Sequence, residues 1–135
     1  MPYVNVKVVK NQMSLEKKKQ LIRGLTDLIV DIMGRDRDFT VITVDELDES
    51  QWAIGGVTLD DNTSKKPIVT FVNIKVSKGT TNPEEINKMM VSTKELIARV
   101  LGSSAIQNYF IIDELNPDGW GFDGISMTER RKLEQ

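Results

Sequence analysis

The 135-residue chain contains neither histidine nor cysteine, which restricts the chemistry that its side chains can perform. The absence of imidazole removes the usual general base at neutral pH, and the absence of thiols removes cysteine nucleophiles. Metal sites built from His or Cys ligands are excluded as well. Proton transfer near neutral pH must therefore use carboxylates, lysines, tyrosines or the chain terminus.

Pro2 is the candidate for such chemistry at the chain terminus. A small second residue generally permits removal of the initiator methionine, which would give Pro2 a free secondary amine. An α-amino group titrates near about 7.7–8.0, and burial or a nearby cation lowers its pKa because both disfavour the charged form. The neutral amine can take a proton from a carbon beside a carbonyl, or attack that carbonyl. The alternative is that Pro2 only starts an edge strand, where its missing N–H costs nothing.

The elements that must position Pro2 are encoded twice. Shifted by 68 positions, residues 3–58 align without a gap on residues 71–126, with 14 identities over 56 positions. Chance would give roughly one identity in sixteen. The sequence therefore predicts two copies of one unit, residues 1–58 and 71–126, joined by a linker at 59–70 and followed by a polar tail at 127–135.

Each unit is predicted to fold as strand, helix, strand. Val4, Val6 and Val8 alternate with polar residues, the period of a half-buried strand. A helix is expected between a capping residue and a glycine in each unit; the pairs are Ser14 with Gly34 and Asn82 with Gly102. The second strands are predicted at 39–44 and 107–112, where nearly continuous apolar character favours a central position in the sheet.

The predicted fold class is α+β, with the tandem β-α-β units forming a four-stranded mixed sheet with two helices on one face. The other face of the sheet has no helix to cover it. We therefore expect it to be partly buried in a homo-oligomer of low cyclic symmetry, or to carry polar residues. The polar candidates are Asn5, Lys7, Asn73 and Lys75.

Composition excludes several classes of partner. A net charge of −2 argues against phosphate-driven binding of nucleic acid. The longest apolar runs are a few residues, so no membrane span or membrane association is expected. The N-terminus lacks the features of a secretory signal, which makes a cytoplasmic protein with a small-molecule partner the expectation. Asp118 to Gly124 offers too few ligands for a metal site.

Three segments together resemble the 4-oxalocrotonate tautomerase family. They are Pro2 to Lys7, Leu21 to Leu28 and Trp52 to Gly56. With its duplicated unit, the chain resembles a fused two-unit member of the tautomerase superfamily. The resemblance implies an isomerase without a cofactor that interconverts enol and keto forms of a 2-oxo acid, and a trimer as the assembly. It further implies an N-terminal proline as general base, arginines that hold substrate carboxylates, and an aromatic wall that lowers the proline pKa. Pro2 matches the first role and Trp52 the last.

The family's arginines do not carry over to this chain. Its first arginine position falls at Lys10–Gln12, and its second at Thr40–Ile42. Lys10 can supply charge there, but it lacks the bidentate fork that arginine presents to a carboxylate. A substrate with one carboxylate, or a simpler enol, is therefore expected rather than a dicarboxylate.

The second unit has Thr70 where the first has Pro2, and an internal residue has no free amine. At most one unit is therefore catalytic, and the second unit is a candidate for the wall of the neighbouring pocket. In that case Lys78, the equivalent of Lys10, is a candidate cation for holding substrate, against the alternative of a solvated loop lysine. Tyr109 could supply a hydroxyl near the family's second arginine position, or simply pack in the core.

Other features keep different functions open. Residues 35–38, Arg-Asp-Arg-Asp, are expected to pair among themselves, although an Asp or Arg there could serve a decarboxylase or dehalogenase of the same superfamily. In those enzymes the proline would stay protonated and act as an acid. Trp120 is expected to be a packing anchor for an oligomer. A non-catalytic binding module that lost the arginines is the third possibility.

Overall fold

The computed structural model describes residues 1–62, 67–102 and 105–135. Its strands are β1 (Tyr3–Val9), β2 (Val41–Leu47), β3 (Ala53–Ile54), β4 (Val57–Thr58), β5 (Thr70–Ser77), β6 (Tyr109–Leu115), β7 (Gly121–Phe122) and β8 (Ile125–Ser126). Its α-helices are α1 (Leu15–Met33), α2 (Pro83–Leu101) and α3 (Met127–Leu133). Each unit is thus a strand, a helix and a strand followed by a small hairpin, and the polar tail forms a third helix. No helix within the described ranges is long and apolar enough to cross a membrane.

The main sheet has the order β2-β1-β5-β6. Each unit contributes a parallel pair, β1 with β2 and β5 with β6, and the two units meet through antiparallel β1 and β5. The buried side chains of β1 and β5 pack against those of α1 and α2, so both long helices cover the same face. This confirms the predicted mixed sheet with two helices on one face.

The prediction that the second strands lie at the centre of the sheet is wrong. The two first strands pair with each other, which leaves β2 and β6 at the edges. Some of the apolar residues on these two edge strands are exposed: Val41 is 51% and Tyr109 64% exposed. The strands also begin two residues later than predicted. Asp36 accepts a hydrogen bond from the Asp38 amide and starts a short 3-10 turn at Arg37–Phe39, which delays β2 to Val41.

Helix boundaries follow the predicted caps. The Ser14 side chain accepts from the Lys17 amide, and the Asn82 side chain accepts from the Glu85 amide. Gly34 ends α1 in the left-handed conformation, with φ 64° and ψ 29°. The chain can therefore turn sharply at this point, which directs residue 35 back toward the start of β1.

The open face of the sheet carries two matching polar triads. Asp45 accepts from Asn5 at 3.1 Å and pairs with Lys7 at 3.0 Å. In the second unit, Asp113 accepts from Asn73 at 2.9 Å and pairs with Lys75 at 2.9 Å. Hydrogen bonds from the lysine and then from the asparagine lower the pKa of each aspartate. The face without helices is therefore polar across its two central strands.

Antiparallel pairing of β1 and β5 creates two related clefts at opposite ends of the sheet. At one end, which we call the N-terminal cleft, Met1 and Pro2 meet the end of β5, and α3 of the second unit lies beside them. At the other end, the Thr70 cleft, the start of β5 meets the hairpin of the first unit. Each cleft is thus built from the beginning of one unit and the final segment of the other.

Candidate active site

Pro2 is buried at the start of β1 in the N-terminal cleft. The Val41 amide donates to the Pro2 carbonyl at 3.3 Å, which ties the terminus to the edge strand. The pKa of the terminal amine, carried by Met1, is lowered from 8.0, first by burial and then by the positive charge of Arg35. Arg131 lowers this pKa further, while Asp36 opposes the shift. The terminus therefore lies where a neutral amine is favoured.

A small cavity of about 90 Å³ adjoins this amine. Its lining comes from the chain terminus, the loop after α1, the end of β5 and α3: Met1, Arg35, Val76, Ser77, Thr80, Met127 and Arg131. Two arginines and the terminal amine thus line this space, and none of the described residues that line it has a carboxylate side chain. Such an arrangement favours a negatively charged ligand.

Two features of the backbone hold Arg35 in place. The left-handed turn at Gly34 precedes it, and its Nη2 donates to the Thr80 carbonyl at 2.7 Å. Its Nε is buried and has no hydrogen-bond partner among the described residues. Burial lowers the Arg35 pKa, yet a guanidinium stays charged at neutral pH. Arg35 therefore retains an unused donor close to the cavity.

The expectation that residues 35–38 pair among themselves is wrong for both arginines. Arg35 bonds to Thr80, and Arg37 pairs with Asp27 of α1 at 2.6 Å. Both arginine side chains are long enough to reach partners on other elements. The short loop, by contrast, offers poor geometry for ion pairs among its own residues. Arg35 is therefore available to interact with a ligand in the cavity.

Arg131 reaches the cavity from α3, a helix that begins where Ser126 accepts from the Glu129 amide at 3.1 Å. The neighbouring Arg130 anchors the same helix, because its guanidinium lies 3.6 Å from the centre of the Phe122 ring and donates to the Phe122 carbonyl. Phe122 in turn packs on Phe39, with 4.9 Å between ring centres. The tail helix is thus tied to the hairpin of the second unit, and it contributes Met127 and Arg131 to the N-terminal cleft.

Ser77 is one of the residues that line the cavity and is only 6% exposed. The Trp120 indole Nε1 donates to Ser77 Oγ at 2.9 Å. The neighbouring residue, Lys78, lies at this same end of β5 and is exposed, with its amide bonded to the Leu115 carbonyl. Among the residues predicted from the sequence, the structure therefore brings Lys78 to the end of the sheet where Pro2 lies.

Trp52, Lys10 and Tyr109 lie at the opposite end of the sheet. Lys10 follows the last residue of β1, Val9, which belongs to the apolar cluster that Trp52 packs against. Trp52 and Tyr109 line a different cavity, of about 430 Å³, in the Thr70 cleft. Trp52 and Pro2 therefore do not meet within one chain, and the role of Trp52 as a wall beside Pro2 stays a prediction that needs a neighbouring protomer. The cause is the antiparallel pairing of the units, which brings each hairpin to the other unit's first strand.

In the Thr70 cleft, a set of hydrogen bonds made by Asn108 lies where the N-terminal cleft has the terminal amine. Asn108 accepts from both the backbone amide and the hydroxyl of Thr70, and donates to the carbonyls of Ile68 and Ala105. Thr70 is 1% exposed, so all of these polar groups need partners. This end is closed by hydrogen bonds within the chain.

Sequence reasoning missed Arg131 and Ser77 as residues of the N-terminal cleft. It gave Arg35 only as part of residues 35–38 for a different reaction, and Trp120 only as a packing anchor. The alignment of the units held a signal, since the equivalents of Ser77 and Arg35 are Val9 and Ser103. The hydroxyl of Ser77 and the positive charge of Arg35 thus each occur in only one copy. Within residues 1–62, 67–102 and 105–135, no group of three or more carboxylates could hold a metal ion.

Comparisons with known proteins assign the family. The family model described as "Tautomerase enzyme" matches residues 2–62. A curated relative, the probable tautomerase K2 of Dickeya dadantii (strain 3937), is 41% identical over 61 residues, covering 45% of this chain and 91% of that protein. The chain therefore belongs to the tautomerase family.

Solved structures extend the fold likeness over both units. A fused 4-OT protein (F6) in an asymmetric trimer superposes with a TM-score of 0.82 at 20% identity, covering 98% of this chain and 99% of that chain. The FG41 malonate semialdehyde decarboxylase, inhibited by 3-bromopropiolate, superposes with a TM-score of 0.75 at 14% identity, covering 97% and 96%. The two-unit tautomerase fold therefore spans nearly the whole chain.

Proposed function

We propose that the protein is a cofactor-independent keto–enol tautomerase for a small 2-oxo acid, with Pro2 as its general base once Met1 has been removed. The supporting observation is the terminal amine with a lowered pKa, next to a cavity that two arginines line. Removal of Met1 moves the amine by one residue, to Pro2. Because Pro2 is itself buried, desolvation acts on the new amine too.

The proposed substrate has a single carboxylate. Arg35 and Arg131 provide the positive charge near the amine, and Lys78 adds a cation at the same end of β5. The two arginines line one small cavity, and the family's two arginine positions hold other residues. One carboxylate can be held there while the reacting carbons face Pro2.

We further propose that the protein assembles as a trimer. The related fused 4-OT protein is trimeric, and the polar open face with its exposed edge strands is available for association. Trp52, Lys10 and Tyr109 could then bind substrate only from a neighbouring protomer, because they lie far from Pro2 in their own chain. Sedimentation of the purified protein tests the assembly.

The experiment for the proposed function follows the ketonisation of 2-hydroxypenta-2,4-dienoate, a dienol with one carboxylate, by its loss of ultraviolet absorbance. A proline base predicts that kcat/KM rises with pH through a pKa lower than that of an ordinary terminal amine. Turnover of this substrate at a higher kcat/KM than the dicarboxylate 2-hydroxymuconate supports the single-carboxylate site. No acceleration of either compound by Met1-free protein would overturn the proposal.

The second candidate function is decarboxylation or dehalogenation, with a protonated Pro2 as acid. The fold likeness to the malonate semialdehyde decarboxylase favours it, and paired arginines would hold the substrate of either reaction. The pH profile separates the two chemistries, because an acid loses activity as pH rises through its pKa. The lowered amine pKa favours the base. A non-catalytic binding module would bind small carboxylates without turning them over.

A further inference from the structure

Ser77 and its hydrogen-bond partner Trp120 distinguish the N-terminal cleft from the Thr70 cleft. Ser77 and its equivalent in the other unit, Val9, are both buried. Trp120 and Trp52 occupy equivalent places in the duplicated sequence, as do Ser77 and Val9. In the Thr70 cleft, Trp52 packs against an apolar cluster that consists of Val9, Leu59 and Val69. In the N-terminal cleft, the Trp120 indole instead donates to the Ser77 hydroxyl. A hydroxyl therefore replaces a methyl pair only in the cleft that contains the amine.

The Ser77 hydroxyl still has a hydrogen to donate. Its oxygen accepts from Trp120 at 2.9 Å, and no described residue accepts from it in return. Ser77 is 94% buried, and it lines the same cavity as Met1, Arg35 and Arg131. The pairing of β1 with β5 places Tyr3 opposite Lys75, so the next residues outward bring the terminus alongside Ser77. An accepted bond polarises a hydroxyl and makes it a better donor.

We infer that Ser77 is a catalytic residue that donates a hydrogen bond to the carbonyl oxygen of the substrate, and that Trp120 is the positioning residue that orients it. This inference deepens the proposed function and rests on it. It assigns the polarisation of the carbonyl to a neutral hydroxyl, while the arginines remain available for the carboxylate. The ligand class it specifies is a 2-oxo acid whose carbonyl lies between Pro2 and Ser77.

The step balances without an oxidant or a reductant. The neutral Pro2 amine takes a proton from the carbon beside the carbonyl, and the C–H electron pair becomes a carbon–carbon π bond. The carbonyl π electrons move onto oxygen, which accepts the hydrogen bond from Ser77 as its negative charge grows. The protonated proline then returns its proton to the oxygen or to another carbon of the conjugated system.

A purely structural role is the alternative, because a buried indole N–H needs an acceptor and Ser77 supplies one. The two roles differ in the kinetic constant that they affect. A donor that acts as charge develops in the transition state changes kcat more than KM, whereas general loosening of the cleft weakens substrate binding as well. Non-additivity provides a second distinction, since Trp120 can act on catalysis only through the Ser77 hydroxyl.

The test measures ketonisation of 2-hydroxypenta-2,4-dienoate by Met1-free variants. For S77A we expect kcat to fall about 10- to 100-fold with KM changed less than about threefold, since one neutral donor is removed from the developing charge. S77T keeps the hydroxyl and should restore kcat to within about threefold of the parent. W120F should lower kcat by about three- to tenfold, and adding W120F to S77A should cost no more than a further twofold.

Thr93 provides the matched control. It is 2% exposed, its hydroxyl has no partner among the described residues, and it lies in α2 outside the N-terminal cleft. T93V should leave kcat unchanged.

Three results would overturn the inference while leaving the proposed function standing: S77A with the parent kcat, S77T as impaired as S77A, or W120F and S77A acting additively. Each presumes a parent enzyme whose activity requires the free Pro2 amine. If the parent itself shows no such dependence, the proposed function fails, and the inference that rests on it fails as well. Circular dichroism and thermal unfolding of every variant identify any loss that is due to misfolding.

Discussion

The N-terminal cleft and the Thr70 cleft are formed by equivalent parts of the two units, but they differ in almost every chemical respect. The N-terminal cleft contains a chain terminus, two arginines and a buried hydroxyl around a cavity of about 90 Å³. The Thr70 cleft contains a continuous backbone clasped by Asn108, with aromatic rings around a cavity of about 430 Å³. Duplication supplied the same scaffold twice, and the two arginines that line a cavity beside a chain terminus are found at only one end of it.

This difference shows how a duplicated fold can divide its tasks. The Thr70 position cannot provide an amine because it lies within the chain, so its surroundings are free to serve stability. Its threonine is almost fully buried and its polar groups are bonded internally. The N-terminal cleft, by contrast, leaves donors unused on Arg35 and Ser77. Unused buried donors cost stability, which is expected where a ligand supplies the missing partners.

Among the side-chain substitutions that compare the two clefts, the largest expected effect comes from removing positive charge from the N-terminal cleft. R35A and R131A should each lower kcat/KM by about 10- to 100-fold, because a charge-assisted bond to the carboxylate contributes about 1.5–3 kcal/mol. R23A, on the exposed side of α1, should leave kcat/KM within about twofold. Equal activity in all three variants would remove the arginines from the site.

The same arginine variants also predict a shift in the pH profile. The Arg35 charge lowers the pKa of the Met1 amine, and we expect it to act in the same direction on the Pro2 amine of the Met1-free form. Its removal should therefore raise the Pro2 pKa and move the rising limb of kcat/KM to higher pH. The direction follows because a neutral base is needed and its formation then requires more alkaline solution. If the rising limb of kcat/KM falls at the same pH in R35A as in the parent, the titrating group lies elsewhere.

In the Thr70 cleft we expect loss of stability without loss of catalysis. N108A removes four hydrogen bonds and leaves the buried groups of Thr70 without partners, which should lower the free energy of unfolding by about 2–4 kcal/mol. Chemical denaturation measures this change. For the folded variant, kcat should stay within about twofold, and a much larger fall would mean that the clefts are not independent.

The smallest effect is expected on the open face of the sheet. The pKa of Asp113 is lowered by Lys75 and Asn73, so its contribution to stability is present above the unfolded-state pKa of about 3.9 and is lost as pH falls through the lower folded-state value. D113N should therefore lower Tm slightly at pH 7, because the pair is largely exposed. At pH 2 the parent and variant should melt together; a difference that persists there would indicate a contribution other than charge.

Sequence reasoning reached the fold but only part of the site. Caps at Ser14 and Asn82 and the repeated pattern of β1 and β5 define the units locally, so they could be predicted. The strand order could not, because apolar edge strands and central strands look alike in one sequence when oligomer contacts are unknown. The antiparallel meeting of the units also determines which hairpin lies beside Pro2. That long-range pairing places the tail helix and Arg131 there, and it moves Trp52 away.

The most direct test of the central claim compares the protein with and without Met1. Intact mass identifies the two forms, and inhibition of methionine aminopeptidase during expression supplies the form that retains Met1. A proline acylated by methionine is an amide without a basic nitrogen, so ketonisation of 2-hydroxypenta-2,4-dienoate should depend on the Met1-free form and fall below about one per cent of its rate in the other. Equal rates in both forms would contradict the role of Pro2 as the base.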